Sequence, residues 1–78
     1  MLQRGQIRAA RALLNWRQGH LAERAAVGLA TIQRLEKGDG PLTGNISTLR
    51  RIQEAFEKAG IVFMDKDAQG GVGVRFAK

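Results

Sequence analysis

The sequence predicts a compact, mainly α-helical domain of four helices that ends in a β-hairpin. Apolar residues recur every three or four positions through most of residues 6–59, which is the period of helices with one buried face. After Gly60 two short apolar runs flank a polar segment, a pattern typical of a hairpin. The 78 residues suffice for one domain and contain no cysteine, so neither disulfides nor a thiolate metal site can stabilise it. Residues 1–60 are therefore predicted as the helical part, and residues 61–78 as a packing or dimerisation element of the same domain.

The four predicted helices are separated by short breaks. Their expected bounds are residues 6–14, 17–25, 29–37 and 46–59. Each carries apolar residues at helical spacing, so that one face of each helix is expected to be buried. The core residues predicted from these faces are Ile7, Leu14, Leu21, Ile32, Leu35, Leu49, Ile52 and Phe56.

Glycines and one asparagine mark the expected helix ends. Gly38 follows the third helix and Gly60 follows the fourth, and glycine adopts the positive φ common at such sites without a Cβ clash. Asn45 precedes the fourth helix, where its side chain can accept a hydrogen bond from a first-turn backbone N–H. These residues predict a loop over residues 38–44.

The predicted hairpin pairs residues 61–64 with residues 72–76 across a loop of residues 65–71. Apolar residues lie on both faces of the first strand, so one face can cover the helices and the other face, or a free edge, can pair with a second copy. Because two-fold dimers are the commonest homo-oligomers, a homodimer is expected. The residues predicted at its interface are Ile61, Phe63, Val72, Val74 and Phe76. The alternative is a hairpin that only covers the core of a monomer.

The charge distribution favours a polyanionic partner. The net charge is +6, and residues 1–38 hold seven basic and two acidic side chains. A basic half on a small domain is typical of nucleic-acid binding, and the alternative is a solvated basic surface. Arg4 and Arg8 are expected either to contact phosphates or to be solvated.

Enzymatic and membrane functions are not expected. The chain has one histidine, His20, no tyrosine and no nucleophile beside a base, so neither catalysis nor a metal or other cofactor is predicted. No apolar run approaches the roughly 18 residues of a membrane span, and no apolar segment of a signal peptide follows Met1. A cytoplasmic, nucleoid-associated protein without a membrane partner is the expectation.

Two short helices with a tight break between them carry the most specific motifs. Gln18 precedes Leu21-Ala22, and Thr31-Ile32 is followed by Leu35-Glu36 and Gly38. In this register residues 6–59 resemble the lambda-repressor-like, XRE-type (Cro-type) helix-turn-helix DNA-binding family. The resemblance implies a sequence-specific transcriptional regulator that binds double-stranded DNA, with residues 29–37 as the recognition helix in the major groove.

The resemblance also implies individual residue roles. The positions implied to face base edges are Gly28, Leu29, Ala30, Gln33 and Arg34. The positions implied to contact phosphates are Arg17, Gln18, Thr31, Lys37 and Asn45. In the family the residues matching Arg11 and Glu36 form a structural ion pair. Gln33 suits a bidentate pair with adenine, Arg34 suits guanine or phosphate, and Leu29 suits a thymine methyl group.

Several positions depart from the family pattern and keep other functions open. Gly28 stands where serine or threonine is usual, Leu29 and Ala30 replace commonly polar residues, and Ala26 stands where glycine is usual. One alternative is therefore an antitoxin or another protein-interaction module on the same fold, and another is nonspecific nucleic-acid or RNA binding. Trp16 is expected in the core rather than stacked on a nucleotide.

Overall fold

The structure, a computed structural model, describes residues 2–78 and contains four α-helices followed by a two-stranded antiparallel sheet. The mainly α-helical class with a C-terminal hairpin is thus confirmed. No helix in this part of the chain combines the length and the apolar character needed to cross a membrane. The elements are α1 (Arg4–Leu14), α2 (Gln18–Ala25), α3 (Leu29–Glu36), α4 (Ile46–Lys58), β1 (Ile61–Met64) and β2 (Gly73–Phe76).

The core lies between the four helices and one face of β1. Its largest fully buried side chains are Phe56, Ile7, Leu21, Ile32 and Ile52. Leu35 is buried with them, while Leu14 and Leu49 are half-buried against this core, so the predicted core set is confirmed. Leu42 in the loop before α4 is also buried, and it was not predicted because a loop has no hydrophobic period.

Some element bounds differ from the prediction by one or two residues. The largest difference is at α1, which begins at Arg4 because the Gln6 side-chain oxygen accepts a hydrogen bond of 2.7 Å from the Gln3 N–H. Gln3 is the N-cap of α1, and glutamine is outside the usual set of N-cap residues, so the sequence did not reveal this start. The other changed bounds are the start of α2 at Gln18, the ends of α3 and α4 at Glu36 and Lys58, and the start of β2 at Gly73.

The predicted helix ends are confirmed by backbone geometry. Gly38 and Gly60 follow the capping residues of α3 and α4 and have φ of +83° and +96°. The Asn45 side-chain oxygen accepts a hydrogen bond of 3.3 Å from the Thr48 N–H, so Asn45 caps α4. These three residues fix where the loop between α3 and α4 begins and where the hairpin starts.

The hairpin packs on the helices through the face that was predicted to dimerise. Ile61 pairs with Phe76 and Phe63 pairs with Val74, so these four side chains share one face. Ile61 is only 2% exposed within one chain, so it was predicted at a dimer interface but offers almost no surface to a second copy. Phe63 and Val74 are half-buried against the same core, whereas Val72 and Phe76 are exposed. The homodimer stays a prediction.

Gln6 ties α1 to the hairpin. Its side-chain nitrogen donates to the backbone oxygens of Met64 at 3.2 Å and Gly73 at 2.9 Å. These carbonyls belong to cross-strand partners at the loop end of the hairpin. A buried amide with all its partners inside the chain therefore fixes the sheet against the helices.

Ala26 ends α2 in a strained conformation. Its φ of 55° and ψ of 47° lie in the left-handed region, which costs a residue with a Cβ roughly 1–2 kcal/mol. Replacing Ala26 with glycine is expected to raise the free energy of unfolding by about 1 kcal/mol, because relief of this strain exceeds the entropy that glycine loses on folding. Urea unfolding monitored by circular dichroism measures the change.

The matched control is Ala12→Gly, at an exposed position inside α1. There the same substitution should lower the free energy of unfolding by about 0.5–1 kcal/mol, since glycine is unfavourable within a helix. Destabilisation by both substitutions would show that Ala26 is not strained.

Candidate nucleic-acid interface

The turn between α2 and α3 presents one side of α3 to solvent. The Val27 N–H closes the end of α2 with a bond of 3.0 Å to the Ala22 oxygen, and Gly28 then begins α3 as an extended N-cap. On the inner side of α3 Ile32, Leu35 and Glu36 are buried. At about 100° per residue, the exposed residues fall within about 140° of the helix circumference. These residues are Leu29, Ala30, Gln33 and Arg34, and together with the exposed C-cap residue Lys37 we call them the exposed face of α3.

The exposed face of α3 changes in character along the helix. Its first turn carries Leu29, which is 45% exposed, and Ala30, while the N-cap Gly28 has no side chain. One turn later Gln33 and Arg34 are exposed, and Lys37 follows at the C-cap. No hydrogen bond or ion pair within residues 2–78 engages the side chains of these three polar residues. They are therefore available to an external partner.

Three arginines of α1 hold the C-terminal end of α3, and we call Arg4, Arg8 and Arg11 the arginine clamp. Arg4 donates to the Leu35 oxygen at 2.7 Å, and Arg8 donates to the backbone oxygens of Glu36 and Gly38. The last carbonyls of a helix have no partner within the helix, and cations are favourable near them. The spacing of four and three residues places the three arginines on one side of α1.

The third member of the arginine clamp forms a bidentate ion pair with Glu36. Arg11 Nε donates to Glu36 Oε2 and Arg11 Nη2 donates to Glu36 Oε1, both at 2.7 Å, and Glu36 is 4% exposed. Gln18 Nε2 donates to the same Oε1 at 3.2 Å. The hydrogen bond to Glu36 raises the pKa of Arg11. The ion pair that the resemblance implied is therefore present, and it links α1 to the buried side of α3.

Two residues of the arginine clamp make contacts that differ from those expected for the basic half of the chain. Arg4 and Arg8 are bonded to backbone carbonyls at the end of α3, so neither phosphate contact nor simple solvation describes their main contacts. Arg8 also lies 3.3 Å from the exposed carboxylate of Asp39. The sequence did not reveal these contacts because backbone acceptors carry no residue identity. The only available signal was the spacing of the three arginines.

The residues implied to contact phosphates lie in different surroundings. Arg17 and Lys37 are exposed at the N-cap of α2 and the C-cap of α3, and Asn45 is exposed at the N-cap of α4. Thr31 is half-buried. Gln18 is also half-buried and uses its amide nitrogen on Glu36. The two exposed cations of this set, Arg17 and Lys37, thus lie at helix ends.

Trp16 lies at the edge of the core in an aromatic stack. Its ring lies 5.6 Å from that of Phe56 and 4.9 Å from that of His20, with both pairs close to parallel. The Arg24 guanidinium lies 5.7 Å from the Trp16 ring centroid. Trp16 is half-buried and packs against the core as predicted, and His20 is exposed. The indole ring of Trp16 therefore stacks on side chains of its own chain.

Neither a scan against protein-family models nor a search of curated proteins gives a match to this chain. Among residues 2–78, no group of three or more histidine, aspartate or glutamate side chains is arranged to hold a metal ion. The geometry of α2 and α3 and the motifs that they carry are therefore the features that bear on function.

Proposed function

We propose that this protein is a helix-turn-helix DNA-binding regulator of the lambda-repressor-like, XRE type, in which α3 enters the major groove. The observation that carries the proposal is the exposed face of α3, where the side chains of Gln33, Arg34 and Lys37 have no hydrogen-bond or ion-pair partner within residues 2–78. An α-helix fits the major groove, and amide and guanidinium groups are the donors that read adenine and guanine there. The α2 helix would cross the phosphate backbone beside it.

The arginine clamp supports this role by holding α3 rigidly. Its contacts come from α1, on the side of α3 away from the exposed face. They engage the backbone oxygens of Leu35, Glu36 and Gly38 and the Glu36 carboxylate. A reading helix must present its side chains in a fixed geometry, and buried contacts on its far side provide this. The cations that remain outside these contacts on the α2–α3 unit can then neutralise phosphates.

We assign separate roles to the residues of this surface. Gln33 and Arg34 contact base edges, and Arg17, Lys37 and Asn45 contact phosphates and set the register on the duplex. Gln18 acts mainly by orienting Glu36. No cofactor is required, and such a protein would act where chromosomal DNA is, by occupying its site.

Replacing Arg34 with alanine tests the DNA-facing role of α3. We expect the affinity for a mixed-sequence duplex of about 20 base pairs to fall by about ten-fold, because Arg34 contributes a charge-assisted contact in the groove. Fluorescence anisotropy of the labelled duplex at low salt measures the dissociation constant. Arg75→Ala on the exposed part of β2 removes the same charge away from α3, and it should change the affinity less than about two-fold. Equal losses in the two variants would count against the proposal.

The exposed apolar side chain of Leu29 favours a second candidate, a protein-interaction module. In that case the exposed face of α3 would cover an apolar surface of a protein partner. Absence of binding to any duplex at low salt would favour this candidate over DNA binding.

A further inference from the structure

The first turn of α3 offers a DNA groove only apolar surface. Gly28 contributes no side chain, Ala30 contributes one methyl group, and Leu29 is 45% exposed. Leu29 is also not among the side chains that pack against the core. An exposed leucine contributes to binding when the partner removes its methyl groups from water.

Among the substituents that the standard bases present in the major groove, one is apolar and varies with sequence. This group is the methyl at C5 of a pyrimidine, which thymine always carries and cytosine carries only when modified. The other groups on the base edges are hydrogen-bond donors and acceptors, and covering them with leucine removes water without replacing its hydrogen bonds. Leu29 therefore favours duplexes in which a C5 methyl group faces it.

Leu29 lies in register with the polar readers of the same face. Gln33 follows it by one turn, about 6 Å along the axis and about 40° around it. A base-pair step is about 3.4 Å, so side chains separated by one helical turn can reach different base pairs of the same site. An apolar contact at one pair and a hydrogen-bonded contact at another can thus form in a single docked position.

From this placement, and resting on the proposed DNA-binding function, we propose that α3 discriminates DNA by C5 methylation. Leu29 is the specificity-determining residue, and the preferred substrate class is duplex DNA that presents pyrimidine C5 methyl groups. The protein then binds 5-methylcytosine-containing DNA more tightly than unmodified DNA of the same sequence. Burial of one methyl group changes an affinity by about four-fold, which sets the scale of the effect.

The test compares two duplexes of alternating guanine and cytosine that differ only in the C5 methyl groups. Fluorescence anisotropy at low salt gives the dissociation constants of the wild-type chain for the unmodified duplex and for the duplex with 5-methylcytosine at every cytosine. The methylated duplex should bind about four-fold or more tightly. Leu29→Ala should reduce this preference to below about two-fold, whereas Leu13→Ala should keep it, since Leu13 is similarly exposed at 40% but lies on α1.

The outcomes separate this inference from the function on which it rests. Measurable and equal binding of both duplexes by the wild-type chain overturns methyl recognition and leaves DNA binding intact. A preference that Leu29→Ala retains shows that methylation acts through the duplex, and it overturns the role of Leu29. If the chain binds neither of these two duplexes and no mixed-sequence duplex, both proposals are overturned. Circular dichroism of each variant confirms that the exposed substitutions leave the helices folded.

Discussion

Replacing Glu36 with alanine should lower the free energy of unfolding by about 3–5 kcal/mol, the largest single-residue effect that we expect. The substitution removes the acceptor of two hydrogen bonds from Arg11 and one from Gln18. Arg11 is then left half-buried without its counter-charge. Small domains have stabilities of about 5–15 kcal/mol, so a loss of this size should be plain in the urea midpoint or the melting temperature.

A double substitution distinguishes the loss of pairing from the loss of volume. In Arg11→Met/Glu36→Leu the two side chains can pack on each other, and replacement of a buried pair by apolar residues is often neutral or stabilising. We therefore expect the double variant to recover most of the stability lost in Glu36→Ala. A loss of less than about 1 kcal/mol in Glu36→Ala would show that the pair contributes little to the fold.

The charge of Arg11 in this ion pair should not change over the ordinary range of pH. The hydrogen bond to Glu36 raises the folded-state pKa of Arg11 above its ordinary value. A raised pKa means that the stabilisation is complete below the unfolded-state pKa and is lost only as the pH rises through the folded-state value. Arg11 therefore stays charged throughout the range in which DNA binding is measured.

Raising the salt concentration from about 50 to about 200 mM should weaken DNA binding by about 40-fold. The exposed cations assigned to the DNA-facing surface are Arg17, Arg34 and Lys37. Arg17 and Lys37 at phosphates and Arg34 in the groove each displace about one counterion from the duplex, so the three cations give a slope of about −3 in a plot of log affinity against log salt concentration. Anisotropy titrations at four or more salt concentrations measure this slope.

The slope also tests the internal role of the arginine clamp. If Arg4 and Arg8 contacted phosphates as well, five cations would give a slope near −4.5. Lys37→Ala should reduce the magnitude of the wild-type slope by about one, while the affinity falls similarly for all sequences. A slope that does not change in Lys37→Ala would remove Lys37 from the phosphate contacts.

The sequence predicted those parts of the structure that depend on local pattern. Helical periodicity located all four helices and the core residues, and the positive φ of Gly38 and Gly60 followed from their positions after helices. The sequence did not predict contacts whose partners are backbone atoms, such as those of Gln6 with the hairpin and of Arg4 with α3. Any residue can supply a backbone carbonyl, so the partner leaves no mark in the sequence.

Only part of the candidate site was predicted, because some of its contacts depend on how distant elements pack together. The resemblance to the helix-turn-helix family implied outward positions for Gln33 and Arg34, and both side chains are exposed on α3. The roles of Arg8 and Ile61 depend on how α1 and the hairpin dock onto the other elements, and a helical or alternating pattern does not contain that information. For Ile61 the alternating pattern showed an apolar strand but not which of its faces would cover the core.

The most direct test of the account is selection from randomised duplex DNA, in which the bound fraction is sequenced for the wild-type chain and for Gln33→Ala. If the exposed face of α3 reads bases, the wild-type chain should enrich a defined motif, and Gln33→Ala should lose preference at one position by about 1–3 kcal/mol. An enriched inverted repeat with half-sites about one helical turn apart would in addition indicate a dimer on DNA. Binding without enrichment, or no binding at low salt, would contradict sequence reading by α3.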